Sequence, residues 1–251
     1  MRFTDKVVLA TGGGSGLAAA VARRFTAEGG RAALVDLDQS SAEAVSAKLE
    51  GSIALEADVS DEVAVAEAVR ATREQLGRID CVFNAAGHVV FGPIEEYSLE
   101  NWNRMLAVHV TGTFLVCRAV LPALKESGGG SIVNVASVAA LVGRPNLGAY
   151  SAAKGAILAF SRQLAVDVGG DGVRVNVVAP GTVRTGMTEP LYAQRGGGDY
   201  AAGAAASSAD SIQKRIAEAD EIAAPVCFLF SEEASFFTGS LLVPDGGLTA
   251  I

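Results

Sequence analysis

Short apolar runs rich in β-branched residues alternate with longer helical stretches from the start of the chain. Lys6–Ala10, Arg31–Val35, Ser52–Ala57, Cys81–Phe83, Ser131–Val135 and Val173–Val178 read as strands, and a last one lies near Leu241–Val243. Most are apolar at consecutive positions, as strands covered on both faces must be. Helical stretches fall near 16–28, 40–49, 60–75, 101–124, 149–168 and 219–230. Glu28-Gly29-Gly30 gives the first a glycine stop. Ser60-Asp61-Glu62 gives the third an N-cap followed by acids that suit the helix dipole. The alternation predicts an α/β fold: one domain over 1–251, a doubly wound parallel sheet with helices on both faces.

One stretch breaks the pattern. Gly186 to Asp210 holds Arg195-Gly196-Gly197-Gly198-Asp199 and then an Ala/Ser-rich run, an insertion extending to about 214. Two readings stand: a disordered surface insertion, which the composition favours, and a mobile lid over a ligand.

Composition narrows the class of partner. The 251 residues are 50% hydrophobic and 19% charged, far from the make-up of a disordered chain. A formal net charge of −8 argues against nucleic acid as the main ligand. Cys81, Cys117 and Cys227 are too dispersed for a disulfide framework and read as buried apolar residues of a cytoplasmic protein. With only His88 and His109 beside them, no metal-ligand spacing appears. No signal-peptide pattern is present, and no window approaches 18 uncharged apolar residues, so no membrane span is expected.

The first strand runs into Thr11-Gly12-Gly13-Gly14-Ser15-Gly16-Leu17-Ala18 ahead of a helix. Glycines there permit a tight turn and let backbone amides approach a pyrophosphate at the helix N-terminus. The strict dinucleotide pattern fits only as Gly14-x-Gly16-x-x-Ala19. The second strand, however, ends at Asp36, 20 residues after Gly16. A carboxylate there accepts both adenosine ribose hydroxyls and repels a 2′-phosphate, which points to NAD in a Rossmann-like fold. Further on, Tyr150 and Lys154 share a helix face at i, i+4 spacing. An ammonium beside a phenol favours the phenolate and makes tyrosine a usable acid/base. Ser137 lies just past the fifth strand, at the rim where ligands bind in open α/β sheets, and can hydrogen-bond a substrate carbonyl.

These motifs together resemble the short-chain dehydrogenase/reductase family over essentially the whole chain. Thr11-Gly12-x-x-x-Gly16, with Ser15 and Leu17, resembles its cofactor loop, and Asp58-Val59 its adenine-contacting pair. Asn84-Ala85-Ala86-Gly87 is similar to its Asn-Asn-Ala-Gly segment, and Pro180-Gly181-Thr182-Val183-x-Thr185 to the segment on the nicotinamide side. Ser137, Tyr150 and Lys154 match its catalytic serine, tyrosine and lysine. The resemblance implies hydride transfer between NAD and a secondary alcohol or its ketone. Tyr150 exchanges the proton, Lys154 holds the ribose hydroxyls and depresses the tyrosine pKa, and Ser137 positions the carbonyl oxygen. Ala18 and Ala85 replace a glycine and an asparagine of the pattern. His109 stands in place of the asparagine that is the fourth catalytic residue, and its ordinary pKa near 6.5 is read as suiting proton exchange in the relay.

Two rival functions are weighed. A 3-oxoacyl-acyl-carrier-protein reductase goes with NADP and a basic residue near 13 or 37, where Gly13 and Leu37 stand. A catalytically silent NAD-binding sensor sits poorly with an intact Ser137, Tyr150 and Lys154. His88, Val89, Ala139, Arg144, Met187 and Tyr192 are candidate walls for a small alcohol or ketone. The family also implies a homotetramer, and the helix at 101–124 is apolar beyond one stripe, which calls for burial on more than its sheet side.

Overall fold

A computed structural model describes residues 1–250, apart from the side chains of Pro190, Leu191 and Gln194. The first half alternates β1 (Val7–Thr11), α1 (Gly16–Ala27), β2 (Arg31–Asp36), α2 (Gln39–Ser46), β3 (Ile53–Glu56), α3 (Glu62–Leu76) and β4 (Cys81–Asn84). Then come α4 (Leu99–Leu106), α5 (Gly112–Glu126), β5 (Gly130–Val135), α6 (Gly148–Val168) and β6 (Val173–Val178). The last part holds β7 (Val183–Arg184), α7 (Glu189–Arg195), α8 (Tyr200–Ser208), β8 (Ala217–Glu218), α9 (Ala219–Phe230) and β9 (Leu241–Leu242).

Seven strands form one parallel sheet in the order β3-β2-β1-β4-β5-β6-β9. The chain leaves β1 in one direction and returns to its other side at β4, so the crevice between them is the switch point where such sheets bind ligands. Every residue of β1 and β4 is buried, because α1 and α9 cover one face and α3, α5 and α6 the other. Phe25 of α1, between Phe3 and Phe230, anchors the first layer. The three cysteines are free and buried, as the sequence implied. Asp61, rather than Ser60, caps α3, accepting from the amides of Val63 and Ala64, and Gly77 ends it with φ 84°.

Helices α4 and α5 form one rod, Leu99–Glu126, joined by a π-helical turn at Ala107–Thr111. By length and hydropathy this 28-residue rod is apolar enough to cross a membrane, which the window count along the sequence did not register. Half of its apolar window is buried inside the protein. Met105, Leu115, Val116 and Val120 are among the buried residues, while Phe114 is exposed.

The insertion departs from the favoured reading. It is folded: α7 and α8 pack as a hairpin, and β7 pairs with β8 beneath it. Two of its glycines, Gly196 and Gly203, serve close approach. A Cβ on Gly203 would sit 1.6 Å from the Tyr192 carbonyl oxygen, and one on Gly196 would sit 1.7 Å from that of Asp199. Asp199 caps α8 through the amides of Ala201 and Ala202.

Candidate active site

A groove of about 640 Å³ runs along the carboxyl ends of the strands, from Asp36 and Asp58 at one end to Ser137, Tyr150 and Met187 at the other. At the first end the loop after β1 turns with Gly12 at φ 70° and Gly16 at φ 54°. A Cβ on Gly13 would lie 2.7 Å from that of Leu34, so the loop presses on β2. Ser15 makes no side-chain cap, which leaves the first amides of α1 free for an anion. The Asp36 carboxylate is fixed by the amides of Gly14 (2.9 Å) and Asp38 (3.0 Å). Free amides at a helix start with a fixed carboxylate on the neighbouring strand fit the pyrophosphate and adenosine ribose of a dinucleotide.

Gly12, Ser15, Gly16, Leu17, Asp36, Asp58, Val59, Ala85, Gly87, Pro180, Gly181, Val183 and Thr185 all line this groove. Asn84 does not. It lies beneath the floor, donating to the Asn134 oxygen at 2.8 Å, with the Cys117 sulfur at 3.4 Å. Its role here is to tie β4 to β5, because a buried amide at a strand end must find partners inside the sheet. Arg104 was not read from the sequence. It spans from α4 to Asp58 (3.1 Å) and the Ser60 hydroxyl (3.2 Å) at the groove's rim. Burial raises the Asp58 pKa, but the bonds from Ser60 and Arg104 outweigh it and hold the carboxyl below its ordinary value.

At the other end Ser137 follows β5, and Tyr150 and Lys154 project from the first turns of α6. Burial pushes the Tyr150 phenol up to about 12, against a hydrogen bond with Ser137 that lowers it. Burial brings Lys154 down to about 7. The expectation that Lys154 depresses the tyrosine pKa is not met in this state. Nζ donates to the Val135 carbonyl at 2.8 Å and stands 5.5 Å over the tyrosine ring, so desolvation governs both groups.

His109 sits in the π-helical turn, 2% exposed, with its ring edge-on to Tyr150 at 5.6 Å. Burial first, and then the charge of Lys154, lower its pKa to about 2. The ring is uncharged across the working range, so the ordinary value near 6.5 does not apply to it. Of the six candidate wall residues, His88 and Met187 line the groove. Tyr192 is instead fully buried, its hydroxyl donating to the Val183 carbonyl at 3.0 Å. Arg144 pairs with Asp210 at 3.1 Å, and Val89 and Ala139 lie outside the lining.

Residues 12–249 match a family model described as Enoyl-(Acyl carrier protein) reductase. The chain belongs to the short-chain dehydrogenase/reductase family. As an oxidoreductase of this family it is similar to 2-(S)-hydroxypropyl-CoM dehydrogenase 3 of Xanthobacter autotrophicus, 40% identical over all of this chain and 99% of that one. Meso-2,3-butanediol dehydrogenase of Serratia marcescens is also 40% identical, covering 100% of this chain and 97% of its own. The crystal structure of levodione reductase superposes with a TM-score of 0.94 at 38% identity, covering 99% of each chain.

Proposed function

We propose that this short-chain dehydrogenase/reductase interconverts a secondary alcohol and its ketone, with NAD as its partner in hydride transfer. The observation that carries this reading is the placement of Ser137, Tyr150 and Lys154 on one groove whose far end holds a fixed Asp36. The named relatives act on secondary alcohols or ketones, which supports the substrate class. Bound nicotinamide supplies or accepts the hydride. Ser137 orients the substrate oxygen by a hydrogen bond. Tyr150, protonated in the resting site by its raised pKa, gives that oxygen its proton during reduction and takes it back during oxidation. Lys154 stands 5.5 Å over the phenol ring, and in its protonated form it favours phenolate when oxidation calls for it. Asp36 accepts the ribose hydroxyls and repels a 2′-phosphate.

Three free, buried cysteines support a cytoplasmic setting. A homotetramer is supported by apolar side chains left exposed on the molecule, among them Phe114, Val166 and Phe236. The reading is tested by following NADH absorbance with a panel of secondary alcohols at alkaline pH and of ketones near neutrality. Turnover with NAD is the expected result. NAD binding without turnover on any of them would leave the silent sensor as the better account.

A further inference from the structure

His88 lines the groove and is half-buried, yet among the described residues its hydrogen bonds are all made by its backbone. The enclosed polar atoms without a partner are Asn84 Oδ1, His109 Nδ1 and the Tyr200 hydroxyl. The His88 ring nitrogens are not among them, so a ligand in the groove can reach them.

The segment carrying this ring is held at both ends. Thr11 Oγ1 accepts from the amides of Ala85 (3.1 Å) and Ala86 (3.2 Å). A Cβ on Gly12 would lie 3.1 Å from the Ala86 amide nitrogen, so the loop after β4 rests on the glycine loop. Two residues on, at most about 7 Å along the chain, the His88 backbone meets His109. Its carbonyl oxygen and amide nitrogen lie 2.8 and 3.1 Å from the same Nε2, and one or the other bonds that ring in either tautomer. A Cβ on Gly87 would overlap His109 Cε1, which leaves no slack between the two anchors. The His88 ring is thereby set beside the loop whose free amides suit an anion.

The charges around it favour the same ligand. Facing the ring are Arg104 from α4 and uncharged His109 from the π-helical turn, with Tyr150 and Lys154 of α6 beyond that second ring. Asp58 is turned to Arg104 and Ser60, and no carboxylate pairs with His88 among the described residues. Burial first, and then the charge of Arg104, hold the His88 pKa below its ordinary value. Backbone amides, a helix N-terminus and two basic side chains converge here, and an imidazole that can itself become a cation stands among them.

We propose that His88 is a cofactor-binding residue, its ring donating a hydrogen bond to the pyrophosphate of the dinucleotide beside the free amides of α1. This rests on the dinucleotide reading above, but not on the choice of NAD over NADP or on the catalytic roles. The neutral ring donates through its one N–H. Two negative charges beside it also favour a second ring proton, taken from solvent, and the bond then becomes charge-assisted. Cofactor affinity accordingly rises as pH falls through the His88 transition.

The test is ¹⁵N NMR of the histidine-labelled protein from about pH 5 to pH 8.5. Two histidines are present and His109 stays uncharged in this range, so the one that titrates is His88, and His88→Gln removes its signal. ADP-ribose, which carries the pyrophosphate without nicotinamide, is expected to raise the His88 pKa by about one unit or more. Adenosine, which carries no phosphate, is expected to leave it unchanged. An equal response to both ligands overturns the proposal. In calorimetry, a one-unit rise makes ADP-ribose bind about tenfold more tightly at acid pH than at pH 8.5, over and above any change in His88→Gln. Lys154 titrates in the same range, but both proteins keep it, so the difference between them belongs to His88. His88→Leu is expected to bind ADP-ribose about tenfold more weakly at pH 6 and adenosine as before. A glutamine variant with the wild-type pH dependence, or a leucine variant with the wild-type affinity, also overturns it. Wild-type protein that binds no ADP-ribose would remove the dinucleotide reading and this proposal with it, whereas binding with an unmoved His88 signal removes the proposal alone.

Discussion

Tyr150, Lys154 and His109 share one buried end of the groove, and desolvation moves each toward its uncharged form. Tyr150→Phe keeps the ring against His109 and removes only the hydroxyl. Steady-state assays are expected to show turnover falling about 10²–10⁴-fold while calorimetry finds NAD affinity unchanged. His109 adds a stability signature. Its folded pKa lies below its unfolded one, so between about pH 6.5 and pH 2 the unfolded chain takes up a proton that the folded chain refuses. The stability due to this group is complete above that window and falls as pH drops through it, by about 1.4 kcal/mol per pH unit. Urea midpoints at about pH 5 and pH 7.5 are therefore expected to differ less in His109→Asn than in wild type. At the adenosine end, two unit charges 4 Å apart repel by about 4 kcal/mol at an effective dielectric constant near 20. Releasing a third of that in Asp36→Ala would move the NAD/NADP ratio of kcat/KM about tenfold toward NADP. Ser137, Tyr150, Lys154 and Asp36 were legible because they fall at the ends of readable strands and helices and match the motifs by which the chain resembles its family. Arg104 and the true setting of His109 were not, because a rim ion pair and a doubly approached nitrogen depend on elements far apart in sequence.

Among the elements, the main strands and helices followed from consecutive apolar runs and helical periodicity, and their observed limits differ from the sequence reading by a few residues at most. The α7–α8 hairpin was missed because glycine and alanine signal flexibility and close packing alike. Gly203 shows which applies, since its α-carbon rests against the Tyr192 carbonyl. Gly203→Val is expected to force α8 off α7 and raise the KM for the alcohol several-fold, with NAD affinity held, because the hairpin follows the 180–188 wall of the groove. Limited proteolysis is expected to cut this variant between 196 and 210 sooner than wild type. Equal cutting rates and an unchanged KM would show that the packing there is immaterial.

For the molecule as a whole, exposed apolar groups on α5, α6 and the segment before β9 bear on assembly. Light scattering is expected to give the mass of four chains at micromolar concentration. Val166→Glu, which charges a side chain that is 77% exposed on α6, is expected to shift the mass downward without lowering the helical signal. The order of the sheet also governs how the protein is made. Val8 sits beside Ala32 early in the chain but beside Cys81 only after α2, β3 and α3 have been added. At about 5–20 residues per second, the roughly 50 residues between those partners take some 2–10 s to leave the ribosome. Through that interval β1, apolar from Val7 to Ala10, presents an unpaired edge to whatever is near. The same late strand that opens the nucleotide crevice thus makes the nascent chain a client for chaperones, and slow codons between β2 and β4 would lengthen its exposure.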